Sequence, residues 1–231
     1  MTTTLITGAN KGLGLETARR LVGAGHRVYL AARDPERGAA AADAVGGRFV
    51  QLDVTDETSV RLAVETVDRE AGHLDVLVNN AGISGGFTAP ARTDATDLLR
   101  VYDTNVFGAV RVLRAFLPLL ERSASPTVVN VSSGMGSLRV TTDPNRLEST
   151  LTGLAYPSSK AALNMLTSQY AKAFPHIRII AVDPGYTATD LNGFRGTQTV
   201  EEGARPIVRM ATLGPDGPSG TFVDGGGLVP W

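Results

Sequence analysis

Short apolar runs rich in β-branched residues alternate along the chain with longer segments whose apolar positions recur every three or four residues. The runs are TTLIT (3–7), RVYLA (27–31), RFVQL (48–52), DVLVN (75–79), TVVNV (127–131) and IRIIAV (177–182). Several are apolar on consecutive residues, as strands covered on both faces require, and the intervening segments are long enough for crossover helices. The pattern predicts a mostly parallel α/β sheet with helices on both faces. Leu15, Ala18, Leu21 and Val22 give the first helix an apolar stripe, and Leu62, Ala63, Val64 and Val67 give one to a later helix. Gly25 and Gly72 supply helix stops. Residues 97–122 have helical composition with Pro118 inside, so a bent or two-part helix is expected. TFV (221–223), in a tail rich in Gly and Pro, reads as a last edge strand.

The 231 residues show no repeat, low-complexity tract or linker, and predict one domain over 1–231. The polar stretch 139–153 reads as an inserted loop. A formal charge of −1, with no long run of one sign, gives no basic footprint for nucleic acid. Cysteine is absent, which excludes disulfides, thiol catalysis and thiolate metal sites and fits a reducing, cytoplasmic setting. No apolar run approaches the ~18 residues needed to span a membrane, and the N-terminus lacks a leader pattern. His26, His73 and His176 have no ligand spacing, and no metal site is expected. Glu201 and Glu202 suit the first turn of a late helix, where carboxylates complement the dipole.

The first strand runs into TGANKGLG (7–14), placing Gly8, Gly12 and Gly14 where a strand becomes a helix. Glycine permits positive φ and close approach, and a helix N-terminus offers unpaired N–H groups to a pyrophosphate. Such a turn after the first strand, about 20 residues ahead of a second strand's end, predicts a dinucleotide site. That second strand ends in AARD, so Ala32 and Arg33 stand where an acid would hold a ribose 2′-hydroxyl. Arg33, with Lys11 and Arg37 adding charge, favours a 2′-phosphate and hence NADP(H) over NAD(H), with Asp34 a competitor for a ribose hydroxyl.

The ordered motifs TGANKGLG (7–14), LDV (52–54), NNAG (79–82), TNVFG (104–108), VNVSS (129–133), YPSSK (156–160) and DPGYTATD (183–190) resemble the short-chain dehydrogenase/reductase family over nearly the whole chain. Within it the pattern is most similar to NADPH-dependent carbonyl reductases. The resemblance implies a single-domain Rossmann fold, a doubly wound sheet of about seven strands. It also implies a cofactor surface of Gly8, Asn10, Lys11, Gly12, Leu13, Gly14, Asp53, Val54, Asn79, Ala81, Gly82, Pro184, Gly185, Thr187 and Thr189. Asp53 would contact the adenine, and Thr187 and Thr189 the carboxamide.

Hydride transfer to a carbonyl builds negative charge on oxygen, which needs an acid beside a hydrogen-bond donor. Tyr156 and Lys160 stand four apart, one helical turn, and the ammonium is expected to lower the phenol's pKa. By resemblance Tyr156 is the acid/base and Ser133 orients substrate. Lys160 also holds the nicotinamide ribose, and Asn105 holds a water of the proton relay. Pro157 suits the first position of the helix, which places Tyr156 at its boundary.

The expectation is a reversible NADP(H)-dependent oxidoreductase acting on a small ketone, aldehyde or alcohol. A non-catalytic NADP(H)-sensing protein, or a dehydration or epimerisation on the same scaffold, are the alternatives. The inserted substrate-side loop (134–155) and a lid region (186–200) would line the pocket, with Gly85, Gly86, Met135, Leu138, Leu154 and Phe194 at an apolar mouth. The interval from Ser133 to Tyr156 is longer than in the common form of the family and shorter than in animal carbonyl reductases. Homo-oligomer and monomer both stay open.

Overall fold

The computed structural model describes residues 1–86, 88–214 and 216–231. Its seven strands are β1 (Thr3–Thr7), β2 (Arg27–Ala32), β3 (Arg48–Gln51), β4 (Val76–Asn79), β5 (Thr127–Val131), β6 (Arg178–Val182) and β7 (Phe222–Val223). They form one sheet in the order β3-β2-β1-β4-β5-β6-β7, with every neighbouring pair parallel. All strand ends of one kind therefore lie along one edge, and the order reverses between β1 and β4, where an open α/β sheet leaves a crevice.

The consecutive apolar residues of most strands feed two separate cores. Leu5 and Ile6 are adjacent and fully buried, yet Leu5 packs with Tyr29, Val67 and Phe116, while Ile6 packs with Leu21, Leu30 and Met210. Helices α3 (Glu57–Ala71), α5 (Gly108–Leu120) and α7 (Ala155–Ala173) cover the first face, with α4 (Ala95–Tyr102) leading into α5. Helices α1 (Gly12–Gly23), α2 (Pro35–Val45) and α8 (Val200–Thr212) cover the second. Each large aliphatic side chain taken wholly from water contributes about 1.5–3 kcal/mol, so both faces hold the sheet.

Gly72 adopts the left-handed conformation (φ 75°) that ends α3, and Thr199 with Glu202 forms a capping box on α8. Two expectations need correction. The apolar stripe of α3 runs through Val60, Ala63 and Val67, and Leu62 is exposed. The helix expected over 97–122 is divided well before Pro118, by a π-helical turn at Asp103–Phe107 between α4 and α5. Pro118 sits in the last turn of α5, where the continuing chain has little helix left to disturb.

The segment 134–155 carries a short helix, α6 (Leu138–Thr141), and a 3₁₀ turn at Leu147–Thr150. The chain end pins it: Ser137 Oγ donates to the Pro230 carbonyl at 2.6 Å, and the Arg139 N–H donates to that of Trp231 at 3.2 Å. Among the described residues no helix is long and apolar enough to cross a membrane.

Candidate active site

A cavity of about 980 Å³ opens at the carboxyl edge of the sheet. One wall is the turn between β1 and α1, where Gly8 (φ 63°) and Gly12 (φ 54°) are left-handed. The third glycine has a different task. A Cβ on Gly14 would come within 2.5 Å of Asn80 Nδ2 and 2.6 Å of the Gly8 carbonyl. Asn80 Nδ2 donates to the carbonyls of Thr7 (2.8 Å) and Gly8 (3.1 Å), and Thr7 Oγ1 accepts from the N–H groups of Asn80 and Ala81. The NNAG turn after β4 is thus stitched to the glycine turn. No side chain caps the first turn of α1, which leaves its N–H groups for an anion.

Gly8, Asn10, Lys11, Gly12, Leu13, Arg33, Asp53, Val54, Ala81 and Gly82 line this half of the cavity. Arg33 sits where β2 ends, while Arg37 lies outside the wall, exposed and paired with Asp34 at 3.5 Å. Asp34 caps α2 by accepting from the Arg37 N–H at 3.0 Å, so the helix start turns both side chains away from the cavity. Asn79 is buried behind the wall and donates to Asn130 Oδ1 at 2.9 Å. Gly14 also stands behind the lining.

Ser133, Tyr156, Lys160, Pro184, Gly185, Thr187 and Thr189 line the other half. Ser132 commits its hydroxyl to Asn164 Oδ1 at 2.6 Å, whereas Ser133 Oγ accepts from the Met135 N–H at 3.2 Å and keeps its proton for another acceptor. Helix α7 begins at Ala155, so Tyr156 is helical and Pro157 occupies the third position rather than the first. First-turn N–H groups have no helical acceptor, so proline costs no hydrogen bond there. Lys160 is buried, donates to the Val131 carbonyl at 2.8 Å, and stands 5.6 Å from the Tyr156 ring centre.

Burial pushes the Tyr156 phenol up to about 12; the Ser133 hydroxyl offsets part of this and the Asp183 carboxylate adds to it. Burial likewise lowers the Lys160 ammonium to about 8, against the pull of Asp183. Desolvation, rather than the expected lowering by Lys160, sets the direction of the Tyr156 shift.

Asn105 lies in the π-helical turn, buried one layer behind the cavity. Its Oδ1 accepts from the Ile83 N–H at 2.8 Å, and its Nδ2 donates to the Ile83 carbonyl at 2.9 Å and to Ser159 Oγ at 3.0 Å. These three bonds hold the strand-end loop against α7. Gln198, which the motifs did not single out, donates to Thr187 Oγ1 at 2.8 Å and to the Pro184 carbonyl, closing the loop after β6. Across the cavity Lys11 pairs with Asp190. Among the described residues no group of three potential metal ligands occurs.

A sequence profile of the short chain dehydrogenases matches residues 2–199. The chain belongs to this family. It is 32% identical to a (+)-neomenthol dehydrogenase of Capsicum annuum, over 94% of each chain, and 31% identical to a salutaridine reductase of Papaver bracteatum, over 95% of this chain and 93% of that one. The first alignment runs over 294 positions against 231 residues here, so that relative carries segments this chain lacks. Among solved structures, an NADPH-bound carbonyl reductase from chicken fatty liver superposes with a TM-score of 0.89 at 29% identity, covering 100% of this chain and 99% of that one.

Proposed function

We propose that the protein is an NADPH-dependent carbonyl reductase, acting reversibly on a ketone or aldehyde. The observation that carries this is the convergence on one cavity of Ser133, Tyr156 and Lys160 from one side and an uncapped helix start behind a left-handed glycine turn from the other. The relatives named as a dehydrogenase and a reductase, and the NADPH-bound neighbour, point the same way.

The residues present fit a dinucleotide. Gly8, Gly12 and the first N–H groups of α1 would cradle its pyrophosphate, Asp53 and Ala81 its adenosine side, and Arg33 and Lys11 its 2′-phosphate. Arg33 at the end of β2, with Asp34 engaged as a cap, supports NADPH over NADH. When bound, the cofactor supplies the hydride. Tyr156 Oη gives the carbonyl oxygen its proton, and Ser133 Oγ donates a hydrogen bond to the same oxygen as charge develops. Lys160 Nζ favours the transient phenolate electrostatically. Asn105 holds the loop and helix that keep these groups in place.

The whole chain, 1–231, acts as one catalytic domain, with 134–155 shaping the substrate side and 186–200 as the lid. A cytoplasmic setting is proposed from the absence of cysteine. The test is loss of NADPH absorbance with a panel of carbonyl compounds, run beside NADH. Substrate-dependent loss matched mole for mole by alcohol supports the proposal; a cofactor that binds without turnover would favour a sensing protein instead.

A further inference from the structure

The Lys160 ammonium and the Asp183 carboxylate are two buried charges of opposite sign, and among the described residues neither has an ion-pair partner within 4.0 Å. They sit at one place in the sheet. Lys160 Nζ donates to the Val131 carbonyl, Val131 pairs with Val182 across β5 and β6, and Asp183 follows Val182 directly. Both side chains line the catalytic cavity. Asp183 Oδ1 accepts from the Gly185 N–H at 2.9 Å, and Oδ2 lies within 3.0 Å of the point a Cβ on Gly134 would occupy. One carboxylate thereby touches the turn that presents Ser133 and the loop that begins with Pro184.

We infer that Asp183 is a positioning residue for Tyr156 and Lys160: a buried counter-charge that keeps the ammonium charged while joining the Ser133–Gly134 turn to the Pro184–Gly185 loop. The inference rests on the proposed function for the catalytic roles of Tyr156 and Lys160. Its electrostatics follow from burial. A buried ammonium bound only to a carbonyl is costly, and a carboxylate in the same poorly screened pocket recovers part of that cost. The field of Asp183 favours the charged Lys160 and the protonated Tyr156 together. Burial raises the Asp183 carboxyl above its ordinary range, and the Gly185 and Gly134 N–H groups pull it back. The charged groups around it are Glu148 from the 3₁₀ turn and Asp224 after β7, both of which add to the rise, and Arg146, paired with Glu148 at 3.2 Å. Glu148 also meets the Gly134 Cβ position, at 2.8 Å, so the substrate-side segment sets the charge that Asp183 works against.

The chain has three lysines, Lys11, Lys160 and Lys172, so NMR of lysine labelled at Cε gives three resonances to follow against pH. Lys160→Ala assigns one of them. Asp183→Asn should move the Lys160 midpoint down by about half a unit or more, and Asp183→Ser, which retains an oxygen for the Gly185 N–H, should do the same. In NADPH-driven reduction the kcat/KM profile of both variants should shift to lower pH, which a merely structural residue would not cause. A Lys160 midpoint unmoved in a folded variant, judged by a cooperative melt, would overturn the inference. The NMR titration needs neither cofactor nor turnover, so a wild type that consumes no NADPH with any carbonyl would count against the proposed function alone.

Discussion

The Lys160 ammonium turns to the Val131 carbonyl, 2.8 Å away, while its nearest titratable companion on α7, Tyr156, presents its ring centre at 5.6 Å. Each group is shifted by burial toward its neutral form, Lys160 to about 8 and Tyr156 to about 12. At neutral pH the tyrosine holds its proton, as an acid for carbonyl reduction should, and the lysine carries a charge that folding must desolvate.

The sign of the resulting stability change is fixed. Between about 8 and 10.5 the unfolded chain holds the Lys160 proton more tightly than the folded one, so this group makes stability rise with pH across that window. Below about 8 its full cost is present. Lys160→Met should therefore lose this rise, its stability staying flatter between about pH 8 and 10.5 than that of the wild type. Denaturant melts of both proteins across pH check it; a variant that keeps the full wild-type rise between about pH 8 and 10.5 would contradict the assignment to Lys160.

Tyr156→Phe removes the proton donor and leaves the ring. Turnover should fall by about 10²–10⁴-fold, the usual worth of a positioned acid, while NADPH affinity stays within a few-fold. Fluorescence titration of NADPH beside steady-state rates separates the two effects. Retention of most of the carbonyl-reducing rate would remove Tyr156 from its role.

Arg33 and Arg37 should part company. Arg33→Ala should weaken NADPH binding by roughly tenfold or more and leave NADH nearly unchanged, the loss expected for one charge-assisted hydrogen bond. Arg37→Ala, with its side chain paired to Asp34 outside the cavity, should alter neither affinity appreciably. Dissociation constants for both cofactors decide, and equal losses from the two variants would dissolve the distinction.

Gly14, in the first turn of α1, and Gly23, its last residue, answer differently to a methyl group. Gly14→Ala drives a Cβ into Asn80 and the Gly8 carbonyl, and should cost about 1–3 kcal/mol and disrupt cofactor binding. Gly23→Ala meets nothing within 4 Å and should stabilise by up to about 1 kcal/mol. Thermal melts with and without NADPH distinguish them.

The strands were legible because most bury consecutive apolar residues against two cores, a demand that leaves an unbroken run in the sequence. The glycine turn and the YPSSK helix were legible because local backbone and helical spacing place them. What escaped depended on partners distant in sequence or on helical register. Asn105 looks like a cavity residue until the π-helical turn directs its amide to Ile83 and Ser159. Arg37 seems to follow Arg33 by one helical turn, yet the helix starts between them, with Asp34 as its cap. Asp183-Pro184-Gly185 reads as a turn, and nothing in that tripeptide reveals that its carboxylate meets Gly134 in the turn after β5. Gln198 carries hydrogen bonds that no spacing rule announces.

The ion pair of Lys11 with Asp190 joins residues separated by 179 positions, and the walls it connects belong to strands added from opposite directions around β1 and β4. No fragment that begins after Gly8 or ends before Arg195 therefore contains the whole cavity. Regained catalysis after dilution from denaturant would time the last long-range pairing of the sheet, and a clone interrupted anywhere between these two residues would be expected to bind little and turn over nothing, however well its local helices form.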